Sequence, residues 1–370
     1  MTSLSEPRSL DGRKAMAPLR RRLFNRYLAG VFLATGLLSA GAVVLNSVID
    51  PLWFWRGNLI TGQNYIFNER VAKVNLILQA PEKYDCLIFG SSRVTLFDQT
   101  DIAGHRCANL AFSAGKAVEF LAYARYLADR GIRPRLVIVG VDDFNFLTKT
   151  TRQPEIPDFV RKGEAPPGWL ESYLSLTALD FSQRTLREVS PMPRFYNDGF
   201  VGGVLKDTAA FKPPKKLKAA VFKGRLDPQR ADLYRQLRDT FPEARFWGFV
   251  PPVAAWKVTE TRHLGKILDG YLQAIANTAE HFEVLYDFSV PSAVTRRHDN
   301  TYDGSHYYPA VHKVISERLQ TASPQVPADS FGLPVHAMTL GQYEGAFKAA
   351  LNRFLAAEFP DLKQAEVAQR

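Results

Sequence analysis

The chain has 370 residues, 46% of them hydrophobic, and a formal net charge of +10. That length exceeds a single small domain, and the apolar content is enough for a sizeable core. Half of the net charge comes from the N-terminus, where Arg8, Arg13, Lys14, Arg20, Arg21, Arg22 and Arg26 face only Glu6 and Asp11. The basicity is therefore a topology signal and excludes a nucleic-acid footprint spread over the fold.

Residues 1–26 form a basic tail, and Tyr27 to Ile49 follow without a single charge. About 23 helical residues reach across a bilayer. The arginines before them keep the N-terminus cytoplasmic. Trp53, Phe54 and Trp55 follow as an interfacial aromatic anchor. The expected location is the inner (cytoplasmic) membrane, single-pass, with everything from about residue 50 outside the cytoplasm. A cleaved signal peptide is the competing reading, with Ala40-Gly41-Ala42 as its small-residue site. The apolar run continues through Val43, Val44 and Leu45, which favours an anchor. Both readings export the domain.

Residues 50–80 read as a connector with a short helix near 68–79. The main domain, 81–325, opens on KYDCLIFGSS, a buried strand running into a Gly-Ser-Ser turn. HRCANLAFS (105–113) repeats the pattern, a helix follows at about 115–130 with Gly131 as its stop, and PRLVIVGVDDF (134–144) is a third strand. Residues 145–225, Pro-rich and basic around one helix near 169–188, read as an insertion over the core that acts as a lid or substrate platform. Then come a helix at 227–240, strand 244–250, a helix at 259–281, strand 282–289 and a helix at 309–321. Residues 326–370 read as a helical extension with an amphipathic helix at 338–358. Strands alternating with helices predict an α/β doubly wound parallel sheet, with the site at the carboxyl ends of the strands. Cys86 and Cys107 fall in strands that could be neighbours. An exported domain tolerates a disulfide, but parallel neighbours rarely present suitable Cβ vectors, so two buried thiols are the simpler reading.

Three segments carry chemistry. Phe89-Gly90-Ser91-Ser92-Arg93 ends the first strand, and its glycine permits a turn that holds a serine at the top of the sheet. It is not the G-x-S-x-G elbow, since position 94 is Val. Asn109-Leu110-Ala111-Phe112-Ser113-Ala114-Gly115 is a second turn. Tyr302-Asp303-Gly304-Ser305-His306 places a carboxylate three residues before a histidine. A serine nucleophile needs a base to take its proton, and the base needs an acceptor that fixes its tautomer. Taken singly, each segment reads as an ordinary turn or exposed loop; their order along the chain is what adds up.

That order resembles the SGNH/GDSL hydrolase superfamily, and within it the membrane-anchored DltD-like and alginate-acetylation-like branch of bacterial envelopes. The resemblance covers about 84–145 and 244–320 and is carried by DCLIFGSSR, NLAFSAG and YDGSHYY. It implies a flavodoxin-like SGNH fold, with Ser92 as nucleophile, its N–H as one oxyanion donor, Gly115 or Ala114 as a second, and Asp303 and His306 completing a triad. Ser91 is the competing nucleophile. The superfamily's third block carries an Asn that donates to the oxyanion, and here Asp142 occupies that place. Either Asp142 is protonated, or Asn145 takes the role, or the hole has two donors. The resemblance implies a glycan or polysaccharide substrate and a membrane-bound O-acyltransferase as partner.

No metal or cofactor is expected: His105, His263, His281, His298, His312 and His336 show no ligand spacing, and no phosphate or dinucleotide loop is present. The expected function is a serine-dependent esterase or O-acyltransferase on an envelope or secreted polysaccharide. The alternatives are a non-catalytic binding or assembly component of such a system and, on tethering alone, a membrane lipase.

Overall fold

A computed structural model describes residues 12–149, 153–221 and 224–361. Glu6, Arg8 and Asp11 of the expected tail, and the end of the expected extension at 362–370, lie outside the described residues.

A single helix, α1 (Gly12–Ile49), takes up both the basic segment and the apolar one, and from Arg20 to Ile49 it is long and apolar enough to cross a membrane. Strand β1 (Gln63–Asn64) follows, then α2 (Glu69–Gln79), whose N-terminus is capped by the Asn68 side chain accepting from the N–H groups of Arg70 and Val71. The core continues with β2 (Cys86–Phe89), β3 (Cys107–Asn109), α3 (Ala117–Asp129) and β4 (Leu136–Gly140). The expected insertion contains α4 (Asp158–Lys162), α5 (Trp169–Tyr173), α6 (Leu176–Leu186), β5 (Arg194–Asn197) and β6 (Gly202–Val204). The chain then runs through α7 (Asp232–Thr240), β7 (Arg245–Val250), α8 (Ala255–Val258), α9 (Leu268–Ala279), β8 (Val284–Asp287), α10 (Pro309–Thr321), β9 (Leu333–Pro334) and α11 (Leu340–Glu358).

Among the described residues the main sheet has the order β3-β2-β4-β7-β8-β9. Its first five strands are parallel and β9 is antiparallel to β8. β2 and β4 are buried along their whole length, which is why they read as unbroken apolar runs. Successive side chains point to opposite faces. Leu87 and Phe89 join one core with Phe120, Tyr271 and Phe347, whereas Cys86 and Ile88 join another with Phe249 and Ile315. Helices thus cover both faces of the sheet.

Several expectations need correction. The expected helix at 338–358 is present as α11, but Tyr343, Phe347, Leu351 and Phe354 belong to the first core, so this helix is part of the main fold: it packs on α9 and closes one face. The expected helix at 259–281 is interrupted, with α8 passing into a π-turn at Thr259–His263 before α9 starts at Leu268. The connector and the insertion are not separate pieces, because β1 pairs with β5 and β5 with β6 in a small antiparallel sheet. Trp53 is fully buried against Phe67 and Phe200, so only Trp55, 46% exposed, keeps the anchoring character expected of that trio. Cys86 and Cys107 stand opposite each other in register on β2 and β3 and form a disulfide, contrary to the simpler reading.

Candidate active site

The site begins with two glycines. A Cβ on Gly90 would stand 2.5 Å from a methyl of Val94, and one on Gly140 would stand 2.3 Å from the same methyl. Gly90 follows β2 directly and Gly140 ends the neighbouring β4. Their bare backbones let the Ser91–Val94 turn fold back over the sheet edge, closed by Val94 N–H donating to Ser91 O at 2.9 Å. Ser91 is 1% exposed and its hydroxyl accepts from the N–H of Arg93 at 3.2 Å, so it braces the turn. Ser92 is the serine that faces out of it.

Ser92 Oγ lies 2.8 Å from His306 Nε2, and His306 Nδ1 lies 2.8 Å from Asp303 Oδ2. The loop that holds them is tied to itself. Asp303 Oδ1 accepts the N–H groups of Ser305 and His306, while Thr301 Oγ1 donates to His306 O and accepts from Gly304 N–H. Gly304 sits at φ +80°, a conformation that glycine adopts without strain. Burial alone would raise the Asp303 carboxyl, but hydrogen bonds from His306 and from two backbone N–H groups outweigh it and hold the carboxyl well below the usual carboxylate range. Tyr302 stacks flat on the imidazole, with ring centroids 5.3 Å apart, and fixes its plane. Structure thus brings Ser92, His306 and Asp303 together and leaves Ser91 out.

The other expected site residues are placed differently. Gly115 donates its N–H to Phe112 O at 3.0 Å, so that group is committed to the turn and is not free for an oxyanion. A Cβ on Gly115 would meet Gly90 O at 2.7 Å, and this close approach is the reason for the glycine. Its neighbour Ala114 takes φ +54°, and its N–H, like that of Ser92, has no acceptor among the described residues. The Asn145 side chain is engaged on the side of α3: its amide Nδ2 donates to the Tyr234 hydroxyl at 3.1 Å and its Oδ1 accepts from Ala117 N–H at the start of α3. Asp142 is fully buried and presents Oδ1 to Arg93 Nη1 at 3.0 Å, so its carboxylate is directed at a guanidinium. Burial raises the Asp142 carboxyl, with Arg93 pulling it back. Arg93 also approaches Asp143 at 3.4 Å, and Asp143 meets buried Arg262 at 3.3 Å. The four charges alternate in sign along the carboxyl edge of the sheet.

No known protein family matches this chain, and neither does any curated protein.

Sequence reasoning missed several neighbours of Ser92. Lys257 donates to Ser305 Oγ at 3.1 Å, and burial pushes its amine pKa down while Asp303 holds it up. Thr95 donates to Ser92 O at 2.7 Å and accepts from Arg194 Nη1 at 2.9 Å. Arg194 also donates to Ser113 Oγ at 2.6 Å and pairs with Glu69 at 2.9 Å. It comes from β5, about a hundred residues from Ser92 in sequence, and no local pattern marks it. Next to Ser113 and Arg194 opens a cleft of about 650 Å³, walled by Tyr65, Phe67, Phe181 and Met192. His312, buried beside Phe97, is pushed down to about 3 by burial and stays a neutral packing residue. Among the described residues, no three His, Cys, Asp or Glu side chains gather as a metal site.

Proposed function

We propose that this chain is a membrane-anchored serine acyl hydrolase or O-acyltransferase of SGNH type, with Ser92, His306 and Asp303 as its triad, acting on an envelope or secreted polysaccharide. The observation that carries this reading is the line Asp303–His306–Ser92, each link 2.8 Å, at the carboxyl end of a parallel sheet. Numbered by themselves, the five parallel strands have the order 2-1-3-4-5, that of a doubly wound flavodoxin-like sheet, whose ligands sit at that end.

In this reading Ser92 Oγ attacks the acyl carbonyl and His306 Nε2 takes its proton. Asp303 stabilises the imidazolium. The N–H groups of Ser92 and Ala114 receive the developing oxyanion. Collapse gives the acyl-Ser92 ester, and His306 returns the proton to the departing alcohol. The second half reverses these steps: His306 deprotonates water or a sugar hydroxyl, which takes the acyl group, and Ser92 recovers its proton. The cleft beside Ser113 offers aromatic faces with paired charges between them, a lining suited to sugar rings.

Asp142 favours a second reading. Pinned by Arg93 in the place of the superfamily's asparagine, it leaves a hole with two backbone donors; an equivalent loss costs about 10²–10³ in rate. A non-catalytic component of a polysaccharide system would tolerate that. Glycan analysis of a strain carrying Ser92→Ala decides between them: the enzyme reading expects a changed ester content, and the binding reading expects none.

A further inference from the structure

The outer end of α1 is not a loose tether. Asp50, directly after the helix, accepts the N–H groups of Phe54, Trp55, Arg56 and Gly57 on its two carboxylate oxygens, at 2.7 to 2.9 Å, and also the hydroxyl of Tyr173. Asn46 Nδ2 donates to Tyr173 O at 2.8 Å, Asn64 Nδ2 donates to Ile49 O at 3.1 Å, and Leu59 N–H donates to Val48 O at 2.9 Å. Helices α5 and α6 pack directly on α1. The last turns of the apolar helix are therefore built into the domain, and part of the insertion, α5 and α6, meets this helix, while Phe159, Val160 and Phe211 of the same insertion pack on the main core.

Around that joint the surface is largely apolar, interrupted by the exposed charges of Arg56 on the connector and Glu171 on α5, which belong at headgroup depth. Leu59 and Ile60 are 65% and 60% exposed on the connector; Trp169 on α5, Leu174 directly after it and Leu176 at the start of α6 are 45%, 51% and 83% exposed. Trp55 links the two groups, its ring centroid 5.8 Å from that of Trp169. Large aliphatic side chains exposed together beside the exit of an apolar helix need a non-aqueous neighbour, and tryptophans are enriched at the headgroup level of bilayers. Charge bounds how deep the surface can sink. Asp180 and Arg184, 3.8 Å apart and partly exposed on α6, begin one turn beyond Leu176, so only the first turn of α6 is free of charge.

We propose that α5, the first turn of α6 and the Trp55–Ile60 loop form a membrane-seated ring around α1, dipping into the headgroup and acyl boundary of the outer leaflet. The occupant of the apolar surface is lipid, because the surface is continuous with the span itself. The ring fixes the tilt of the domain on the bilayer. It also sets the Ser113 cleft close to the membrane: Phe181, which lines it, stands on α6 about 8 Å along the helix axis from Leu176. The inference rests on α1 spanning the bilayer and is independent of any chemistry at Ser92.

The test uses the full chain in phospholipid vesicles, with a nitroxide on single cysteines introduced by Leu59→Cys, Leu174→Cys or Leu176→Cys. The native cysteines are paired and take no label. Leu38→Cys within the span and Val221→Cys, where the native side chain is 93% exposed, serve as lipid and water standards. All five positions are exposed, and the thermal transition of each variant shows that the fold is kept. Collisions with oxygen should dominate over collisions with a water-soluble nickel chelate at the three ring positions, as at Leu38, and the ratio should invert at Val221. Nickel-dominated collisions at all three overturn the proposal. So does low access to both reagents, which means that protein covers the surface. A nickel-dominated signal at Leu38 would instead show that α1 does not span.

Discussion

Two substitutions of one residue separate chemistry from loop bracing. Asp303 has two tasks: Oδ1 holds the N–H groups of Ser305 and His306 at 2.8 and 2.9 Å, and Oδ2 faces His306 Nδ1 at 2.8 Å. Asp303→Asn keeps the shape and an acceptor for the backbone but turns an NH₂ group toward Nδ1. Nδ1 must then accept, the ring proton moves to Nε2, and the nitrogen facing Ser92 loses the lone pair that takes the serine proton. The same change in a serine protease triad costs about 10⁴ in kcat, or about 5.5 kcal/mol at 1.36 kcal/mol per decade. Asp303→Ala removes both tasks, leaving the imidazole free to choose its tautomer in a looser loop. The asparagine variant should thus be at least as inactive as the alanine variant, yet the more stable of the two. The stability difference should be about 1 kcal/mol, because the Asp303 side chain is 40% exposed and solvent screens it. Since folding depresses the carboxyl, its contribution is present at neutral pH and is lost as pH falls through the folded value; neither variant shows that loss. The assays are kcat/KM on a p-nitrophenyl ester and thermal unfolding across pH. If the asparagine variant kept more than about a tenth of the wild-type rate while the alanine variant was inactive, Asp303 would be a loop brace and the tautomer argument would fail.

Ser92→Ala and His306→Ala should each lower kcat about as far as the double variant if the proposed triad works as one unit; additive losses on the same ester would separate their roles. Asp142 is a buried carboxyl raised on folding, so its contribution to stability is present at low pH and lost as pH rises through its folded value. Asp142→Asn cannot titrate there, and the melting temperature of the wild type relative to this variant should fall with rising pH; a pH-independent difference counts against burial of the ionised form. A reporter fused after residue 60 should be active only as an extracytoplasmic one, and activity of a cytoplasmic reporter there would reverse the topology drawn from the arginines before Tyr27.

What the sequence revealed was local. Gly-Ser-Ser after an apolar run and Asp-x-x-His on one loop carry their geometry within a few residues, so Ser92, His306 and Asp303 could be named in advance. The strands were legible for the same reason: burial on both faces leaves continuous apolar runs bounded by glycine. What stayed hidden was tertiary. Pairing of β1 with β5 joins segments more than a hundred residues apart, and it brings Arg194 to Thr95. Trp53 looked like a membrane anchor because nothing local shows that Phe67 and Phe200 enclose it. Gly115 was read for a free N–H, whereas the fold uses its missing side chain to pass Gly90. Asn145 was one of the alternatives for a third oxyanion donor, and nothing local shows that its side chain secures the start of α3. The cysteine pair depended on register: one residue of slip between β2 and β3 would have turned the thiols to opposite faces.

In the proposed triad Ser92 is a nucleophile activated by His306. That role is tested most directly by treating the purified full chain with a fluorophosphonate and locating the adduct by peptide mass spectrometry. Modification is expected at Ser92 in the wild type, none in Ser92→Ala and much slower modification in His306→Ala. Labelling that persists in Ser92→Ala, or a wild-type chain that stays unmodified, would contradict that role.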